Sequence, residues 1–211
     1  MKDLEKKIFS RHDPVVLAAL RPAVVAVAGA GGLGSNIAMA LARAGVGRLI
    51  IADFDKVEPS NLNRQQYTVG QIGRRKARAL RDNLRRAAPF TAVTAHDIKV
   101  TPANVKKLFG GADLLIEAFD RADQKAMLIR AWLSLFPDRP MIAASGLAGY
   151  GRNARLKTRR MGGLYICGDG CTEPAPGRSP MAPRVALVAA MQANLAVELL
   201  VKTRRRKNVQ D

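Results

Sequence analysis

The stretch VVAVAGAGGLGSNIAMALARAGVGRLIIAD, residues 24–53, decides the fold of this chain. Residues 24–28 form a short apolar run, and the glycine-rich turn GAGGLG follows directly at 29–34. Small apolar residues at helical spacing occupy 35–44, and a second apolar run, RLIIA, lies at 48–52. A strand, a tight turn, a helix and another strand within about 30 residues predict a βαβ unit with parallel strands.

Apolar runs and helical patterns continue to alternate through the rest of the chain. Further strands are predicted at 92–95, 114–118 and 141–144, and helices with one apolar face at 74–88, 123–136 and 184–202. This alternation predicts an α/β fold, with a Rossmann-like, doubly wound and mostly parallel sheet in a single domain.

The boundaries of that domain follow from composition. Residues 168–183, GDGCTEPAPGRSPMAP, are too rich in glycine and proline for regular structure and predict a mobile loop. We expect an N-terminal helical segment at 1–22, one nucleotide-binding domain at 23–203 and a frayed basic tail at 204–211.

The overall composition is that of a globular protein, with 48% hydrophobic and 25% charged residues among 211. The first twenty residues are charged and lack the apolar core of a secretory signal. The most apolar segment, 186–201, is interrupted by Gln192, Asn194 and Glu198, so we expect no membrane span of about 18 uncharged residues. Two cysteines are too few for a disulfide framework, and we expect a cytoplasmic protein.

Positive charge is the most unusual property of the chain. It has 35 Lys and Arg against 17 Asp and Glu, a formal net charge of +18. Three windows, 74–86, 152–160 and 202–207, contain 17 of the 35 basic residues and a single acid, Asp82. Such patches indicate an acidic or polyanionic partner, or simply solvated faces. No aromatic residue interleaves with them as in a base-stacking surface, so nucleic acid is not the favoured partner.

The glycine turn predicts a nucleotide site. Gly29, Gly31 and Gly34 satisfy G-x-G-x-x-G directly after a strand and at a helix start, where glycine lets a phosphate approach the backbone N–H groups. Asp53 ends the second strand 24 residues after Gly29, where an acid binds ribose hydroxyls. The alternative is a glycine turn that only packs the helix on the strand.

The ligand of this site is predicted to be a triphosphate. Hydride transfer with a dinucleotide usually needs a general acid, and neither His12 nor His96 has a motif around it. Arg64 and Lys76 instead suit β- and γ-phosphates. Asp120 follows a strand, so its carboxylate either holds Mg²⁺ through the phosphates or caps the next helix. A non-catalytic NAD-binding module remains the alternative from another functional class.

These residues resemble the ThiF/MoeB family of enzymes, related to ubiquitin-activating enzymes, which adenylylate ubiquitin-like carrier proteins. The likeness is carried by GAGGLG at 29–34, DFDKVEPSNLNRQ at 53–65, Lys76 and Asp120. The short chain and the ending at 181–200 are most similar to the compact ThiF-type sulfur-carrier adenylyltransferases.

The resemblance implies an ATP- and Mg²⁺-dependent adenylyltransferase in which each motif has a role. Gly32 and Asp53 would contact ATP, and Asp120 would hold Mg²⁺. Arg64 and Lys76 would neutralise the phosphates. The same pocket would be lined by Asn61 and Gln65, and Arg11 would reach into the site of a neighbouring subunit in a homodimer.

The implied partner is a small, acidic ubiquitin-like sulfur carrier that ends in Gly-Gly, with the basic window 152–160 as its docking surface. A sulfur donor and a role in thiamine biosynthesis are implied as well. Activation of a molybdopterin-type carrier and dehydration of threonylcarbamoyladenosine in tRNA remain alternatives within the family.

Two departures from the family concern the cysteines and the metal. Many relatives bind a structural zinc with two C-x-x-C pairs, whereas this chain has only Cys167 and Cys171, so we expect no zinc. Cys171 lies in the Pro/Gly loop, where its thiol either attacks the acyl-adenylate or carries sulfur, or is a bystander. We expect Cys167 to be packed. Arg121 replaces an asparagine common in relatives and adds positive charge beside Asp120.

Overall fold

A computed structural model describes the backbone of residues 2–210 and the side chains of residues 3–205. In this part of the chain seven strands form one sheet, in the order β3-β2-β1-β4-β5-β7-β6, and β6 alone runs antiparallel to its neighbour. The strands are β1 (Val24–Ala28), β2 (Arg48–Ala52), β3 (Ala92–His96), β4 (Leu114–Glu117), β5 (Met141–Ala144), β6 (Lys157–Met161) and β7 (Leu164–Gly168).

Helices cover both faces of the sheet. They are α1 (Lys2–Ile8), α2 (Pro14–Leu20), α3 (Gly32–Ala44), α4 (Lys76–Ala87), α5 (Pro102–Phe109), α6 (Ala122–Leu135) and α7 (Ala182–Gln210). Side chains of α3, α4 and α7 share one apolar core with the sheet, while α5 and α6 build a second core on the opposite face. The predicted doubly wound α/β domain is therefore confirmed.

The strand order places a crevice at the middle of the sheet. From β1 the chain moves outward through β2 and β3, then returns to β4 on the other side of β1. The β1 and β4 connections leave in opposite directions, so their carboxyl ends border an open crevice where ligands of such sheets bind. The segment GAGGLG follows β1 at this point.

Three elements differ from the sequence-based expectations. The β6–β7 hairpin and α5 were not predicted, and β6 has no buried side chain that would reveal a strand by its periodicity. Helix α7 continues to Gln210, past the predicted end at residue 202. The backbone of the basic tail is helical as far as Gln210, its fraying stays a prediction, and its side chains from residue 206 onward lie outside the described ones.

Helix α7 also has the length and apolarity of a membrane span by composition alone, over Ala182–Arg205. That measure tolerates charged residues, and the expectation of no run of about 18 uncharged residues is not contradicted, because Arg184, Glu198 and Lys202 interrupt the helix. Its side chains at Val185, Val188 and Ala196 are buried against the rest of the domain, as in the core helix of an α/β fold.

Candidate functional site

The glycine turn between β1 and α3 is shaped by close backbone contacts. Gly29 has φ +101°, and a Cβ there would lie 2.7 Å from the Ala118 carbonyl oxygen. A Cβ on Gly34 would lie 1.9 Å from the Gly29 oxygen, so only glycine lets α3 start this close to the turn. Gly31 is the N-cap of α3 and has no capping side chain, which leaves the first N–H groups of the helix available to an anion.

Asp53 is held beside this turn at the end of β2. Its carboxylate accepts hydrogen bonds from the Ala30 N–H at 2.7 Å and the Asp55 N–H at 2.8 Å. Burial raises the pKa of Asp53, and the two N–H donors and nearby Lys76 oppose that rise. These contacts fix the carboxylate at the mouth of the crevice, in the position expected for a group that binds ribose hydroxyls.

Arg64 is positioned by two polar residues of α3 that the sequence reasoning missed. Asn36 donates to the carbonyls of Gly32 at 2.6 Å and Arg64 at 3.0 Å, and Ser35 accepts from the Gln66 N–H at 3.1 Å. These bonds join the 59–66 loop to the first turn of α3. Two polar residues near the start of an otherwise apolar helix were the sequence signal that could have indicated this contact.

The guanidinium of Arg64 is retained by neutral partners. It donates to the Ser60 carbonyl at 3.1 Å and to the Asn63 amide oxygen at 2.8 Å. It forms no ion pair with an acid among the residues whose side chains are described. Its charge is therefore available to an anionic ligand.

Lys76 lies at the start of α4 and is almost completely buried, 7% exposed. Its ammonium contacts the Asp55 carboxylate at 3.0 Å, and that carboxylate is half exposed. A buried cation paired with a solvent-facing acid can change partner when a phosphate arrives, because Asp55 then returns to water.

Asn61 and Gln65 line the same space. The Asn61 amide oxygen accepts from the Glu58 N–H at 3.1 Å, which shapes the turn before Arg64. Gln65 is 8% exposed, and its side-chain oxygen has no hydrogen-bond partner among the residues with described side chains. A buried polar atom without a partner at a crevice is a candidate ligand contact.

Asp120 follows β4 and is exposed at the carboxyl edge. The N-cap of α6 is Arg121, so the capping role considered for Asp120 is wrong. Arg121 instead binds Asp123 through two contacts of 3.1 and 3.0 Å. Within the described part of the chain no group of three or more His, Cys, Asp or Glu is close enough to hold a metal ion.

A cavity of about 900 Å³ brings most of these residues together. Of the predicted site residues, its lining includes Gly29, Gly31, Gly32, Asp53, Asn61, Arg64, Gln65, Lys76 and Asp120. Gly34 does not line the cavity, and its contribution is the close packing of α3. This volume is sufficient for a nucleotide and part of a second substrate.

The second half of the cavity, between β4, β5 and α6, contains an ion pair that sequence reasoning missed. Glu117 on β4 is completely buried, and its carboxylate contacts the Lys125 ammonium of α6 at 2.9 and 3.0 Å. The Phe119 N–H donates to the same carboxylate at 2.6 Å. Burial raises the pKa of Glu117, and Lys125 opposes that rise. A buried acid in a strand followed by lysine eight residues later was the available signal.

The predicted Pro/Gly loop begins after β7 and borders this half of the cavity. Asp169, at its start, accepts from the N–H groups of Cys171 and Thr172, both at 2.9 Å, and from the Arg184 guanidinium at 2.6 Å. Burial alone would raise the pKa of Asp169, but these donors outweigh it and hold that pKa well below its usual value. The loop is thereby joined to the start of α7, and Glu173 lines the cavity.

The two cysteines have different surroundings. Cys167 is fully buried on β7, as expected, and burial raises the pKa of its thiol. Cys171 is exposed, and its sulfur lies 3.6 Å from the Asp169 carboxylate. Arg178 donates to the Glu173 carbonyl at 2.8 Å and Arg184 donates to the Asp169 carboxylate at 2.6 Å, so each guanidinium has a partner other than the thiol.

Arg11 is not part of the cavity within one subunit. It lies between α1 and α2, and α2 packs near Gly45 and Gly47, at the end of α3 opposite the glycine turn. The nucleotide site and Arg11 are therefore at opposite edges of the sheet, so Arg11 could serve this function only from another subunit.

The basic windows differ in how far acids neutralise them. In the window 74–86, Arg74 pairs with Asp82, and Arg75 and Arg78 pair with Asp97. The window 152–160, which we call the basic edge, includes all of β6 except Met161 and forms no ion pair among the described side chains. Its five exposed cations are Arg152, Arg155, Lys157, Arg159 and Arg160. Arg159 touches the Asp169 carbonyl at 3.1 Å, beside the loop that borders the cavity.

Comparison with known proteins identifies the family of this chain. The model of the ThiF family matches residues 6–210. The probable adenylyltransferase/sulfurtransferase MoeZ of Mycobacterium tuberculosis is 42% identical over 102 residues, 48% of this chain and 26% of that protein. The adenylyltransferase and sulfurtransferase UBA4 of Yarrowia lipolytica is 29% identical over 187 residues, 86% of this chain and 46% of that protein. The chain thus spans about a quarter to a half of these curated relatives.

A solved structure with the same fold is the tRNA N6-threonylcarbamoyladenosine dehydratase TcdA of E. coli. It superposes with a TM-score of 0.87 at 22% identity and covers 97% of this chain and 98% of its own. Its complex with ATP superposes with a TM-score of 0.84.

Proposed function

Because the chain belongs to the ThiF family, whose model matches residues 6–210, we propose that it uses ATP to adenylylate a carboxylate at the C-terminus of a small ubiquitin-like carrier protein. The observation that carries the proposal is the shared cavity that joins the glycine turn, Asp53, Arg64, Lys76 and Asp120. Its second half, toward β5 and α6, leaves room for the carboxylate that is activated.

The reaction needs positioning and charge neutralisation rather than a protein nucleophile. A carboxylate oxygen of the carrier forms a bond to the α-phosphorus of ATP while the bond to the β-phosphate oxygen breaks. The products are the acyl-adenylate and pyrophosphate. No general base is required, because the carboxylate is already ionised at neutral pH.

Arg64 and Lys76 have the charge and placement to stabilise the departing pyrophosphate. Arg64 has a charge not neutralised by a described acid, and Lys76 exchanges Asp55 for a phosphate oxygen. The Gln66 N–H donates to the Ser35 hydroxyl and Asn36 donates to the Arg64 carbonyl, which holds the Arg64 loop against the glycine turn, so both cations meet the same triphosphate.

Mg²⁺ fits the donor set. Asp120 offers a hard carboxylate oxygen, exposed and without a hydrogen-bond partner among the described residues, and Mg²⁺ commonly binds one or two carboxylates together with substrate phosphates. When bound, the ion supplies additional charge neutralisation on the phosphate oxygens. Asp120 is the residue that would hold it.

Carrier-dependent exchange of pyrophosphate into ATP tests this proposal. Ubiquitin-like proteins of the same genome that end in Gly-Gly are screened as acceptors, each beside a form lacking the last glycine. We expect exchange with one full-length carrier and none with its shortened form. Exchange that is absent from every carrier, or equal with the shortened form, contradicts the proposal. Thermal shifts with ATP but not NAD would exclude the NAD-binding alternative.

The basic edge is the proposed docking surface for an acidic carrier. It carries five exposed cations without an acidic partner among the described residues, and it adjoins the loop that borders the cavity. Steering by such charges weakens as salt screens them. We expect the paired substitution Arg155→Glu and Arg160→Glu to weaken carrier binding. The same change at exposed Arg85 and Arg86 of α4 is the matched control, and equal effects of the two pairs would contradict the assignment.

The finer assignments are proposals as well. We propose a cytoplasmic homodimer that activates a sulfur carrier of thiamine biosynthesis, with Arg11 entering the partner's site and a separate sulfur donor completing the transfer. Mixing an Arg11→Ala subunit with an Arg64→Ala subunit tests the shared site. Partial recovery of exchange in the mixture is expected, because one of the two sites is then intact.

A carboxylate on tRNA is the second candidate acceptor. The strong positive charge of the exposed surface favours it, and a solved structure of the same fold is named a tRNA dehydratase. Formation of AMP from ATP with threonylcarbamoyladenosine-containing tRNA, and not with any Gly-Gly carrier, would favour this candidate.

A further inference from the structure

The ion pair between Lys125 and Glu117 occupies the half of the cavity that the nucleotide residues leave free. Lys125 lies in the first turns of α6, and both partners line the cavity. The phosphate-binding cations Arg64 and Lys76 belong to the other half, beside the glycine turn.

The pair is asymmetric toward the cavity. The Glu117 side chain is fully buried, whereas the Lys125 side chain remains 22% exposed. The Glu117 oxygens are occupied by Lys125 and by the Phe119 N–H. The positive end of this dipole therefore faces the cavity, and the negative end faces the sheet.

Stability alone does not account for such a pair. Removing two charges from water costs energy that their attraction only partly repays, so well-packed apolar residues would serve as well. The surrounding wall is in fact apolar, with Ala126, Ile129, Ala143 and Ile166 in the same lining. Lys125 places a cation beside these apolar side chains.

A second feature makes the same place favourable to an anion. Helix α6 begins at Ala122, its N-cap Arg121 makes no side-chain capping bond, and both residues line the cavity. The first N–H groups of the helix and its dipole therefore add to the Lys125 charge.

We propose that the Lys125 ammonium, oriented by the buried Glu117 carboxylate, binds the acceptor carboxylate and holds it for attack on the α-phosphorus. This inference rests on the proposed function and identifies the acceptor site as one for a free carboxylate. Lys125 contacts the substrate, and Glu117 is a positioning residue.

The test compares two forms of the carrier that supports exchange with the wild-type protein. One form ends in the free carboxylate and the other in a carboxamide, and both are titrated calorimetrically in the presence of a non-hydrolysable ATP analogue. The wild-type protein is expected to prefer the free acid by about tenfold or more, the range for a hydrogen bond to a charged group. Lys125→Gln is expected to lose this preference without a change in ATP affinity.

Two further variants separate binding from folding. Glu117→Gln retains the ammonium but removes the carboxylate that orients it, and is expected to weaken the preference for the free acid without abolishing it. The double substitution Glu117→Gln with Lys125→Gln leaves no unpaired buried charge and is expected to lose the preference. Lys107→Gln, at an exposed position of α5, removes the same charge elsewhere and is the matched control.

Several outcomes would overturn the inference. If Lys125→Gln keeps the preference for the free acid while wild-type exchange is normal, Lys125 does not bind the acceptor and the proposed function stands. If ATP affinity falls instead, Lys125 belongs to the phosphate site. If Glu117→Gln and Lys125→Gln lose stability and the preference together, the pair is only a clamp between β4 and α6. Absence of exchange in the wild-type protein would overturn the proposed function together with the inference.

Discussion

The glycine turn permits a prediction that separates folding from nucleotide binding. In Gly34→Ala the new methyl group would lie 1.9 Å from the Gly29 carbonyl oxygen, whereas in Gly31→Ala the nearest atom is the Gln65 amide nitrogen at 3.9 Å. The first substitution forces two backbone segments apart by more than about 1 Å, and overpacking of this kind costs about 3 kcal/mol. The second meets no obstacle within the protein.

The two substitutions are therefore expected to differ in melting temperature and in ATP affinity. Because 1 kcal/mol shifts the melting temperature of a domain of this size by about 2–4 °C, Gly34→Ala is expected to lower it by about 6–12 °C. Gly31→Ala is expected to melt like the wild type. Its methyl group nevertheless enters the space beside the helix N–H groups, so we expect ATP affinity to fall about tenfold or more.

Differential scanning fluorimetry and ATP titration of both variants check this pair of expectations. Gly70→Ala, where no atom lies within 4 Å of the added Cβ, is the control for an exchange of glycine in general. Full ATP affinity in Gly31→Ala would refute the placement of the phosphates at this turn. Wild-type stability of Gly34→Ala would refute the packing role of that glycine.

Three further predictions concern other parts of the site. Arg64→Ala and Asp120→Ala should each lower carrier-dependent pyrophosphate exchange about 100-fold, as when one charge-stabilising group is removed, with unchanged melting; wild-type exchange in both would contradict their roles. Asp169→Asn should lower the free energy of unfolding by about 3–5 kcal/mol at pH 7, because the buried Arg184 guanidinium then lacks an anionic partner. The stabilisation from Asp169 exists above its unfolded pKa and disappears as pH falls through its lower folded pKa. Acid unfolding of Asp169→Asn should therefore depend less on pH below about 4, where one titrating group contributes at most about 1.4 kcal/mol per pH unit; an unchanged slope would count against the lowered pKa. Cys171→Ser should support exchange at the wild-type rate, and a loss of sulfur transfer alone would assign the thiol to the later step.

Local sequence patterns were sufficient for the centre of the fold. Strand β1 is a buried apolar run, glycines follow it, and an acid stands at the end of β2. Each of these signals lies in residues that are close together in the sequence. Such patterns predict a βαβ unit and its nucleotide site without knowledge of tertiary contacts. Arg64 and Lys76, predicted from their charge and from the resemblance, both line one cavity in the structure.

Contacts between distant or exposed residues were not predictable in the same way. Strand β6 exposes every side chain, so neither alternation nor an apolar run distinguishes it from a loop. The Asp169–Arg184 pair forms only because β7 brings the loop to the start of α7. The Glu117–Lys125 pair likewise depends on how α6 crosses β4, which no spacing rule specifies. Capping of α6 was considered for Asp120 as the alternative to metal binding because aspartate is a good cap, but the N-cap of the helix is Arg121.

The exposure of strand β6 has an evolutionary consequence. Because none of its five side chains is buried, substitutions there open no cavity and leave the cores on both faces of the sheet intact. The surface chemistry of this edge can therefore change without disturbing the nucleotide turn. A gene duplication would allow one copy to acquire a different protein partner through changes at β6 alone, without first losing stability.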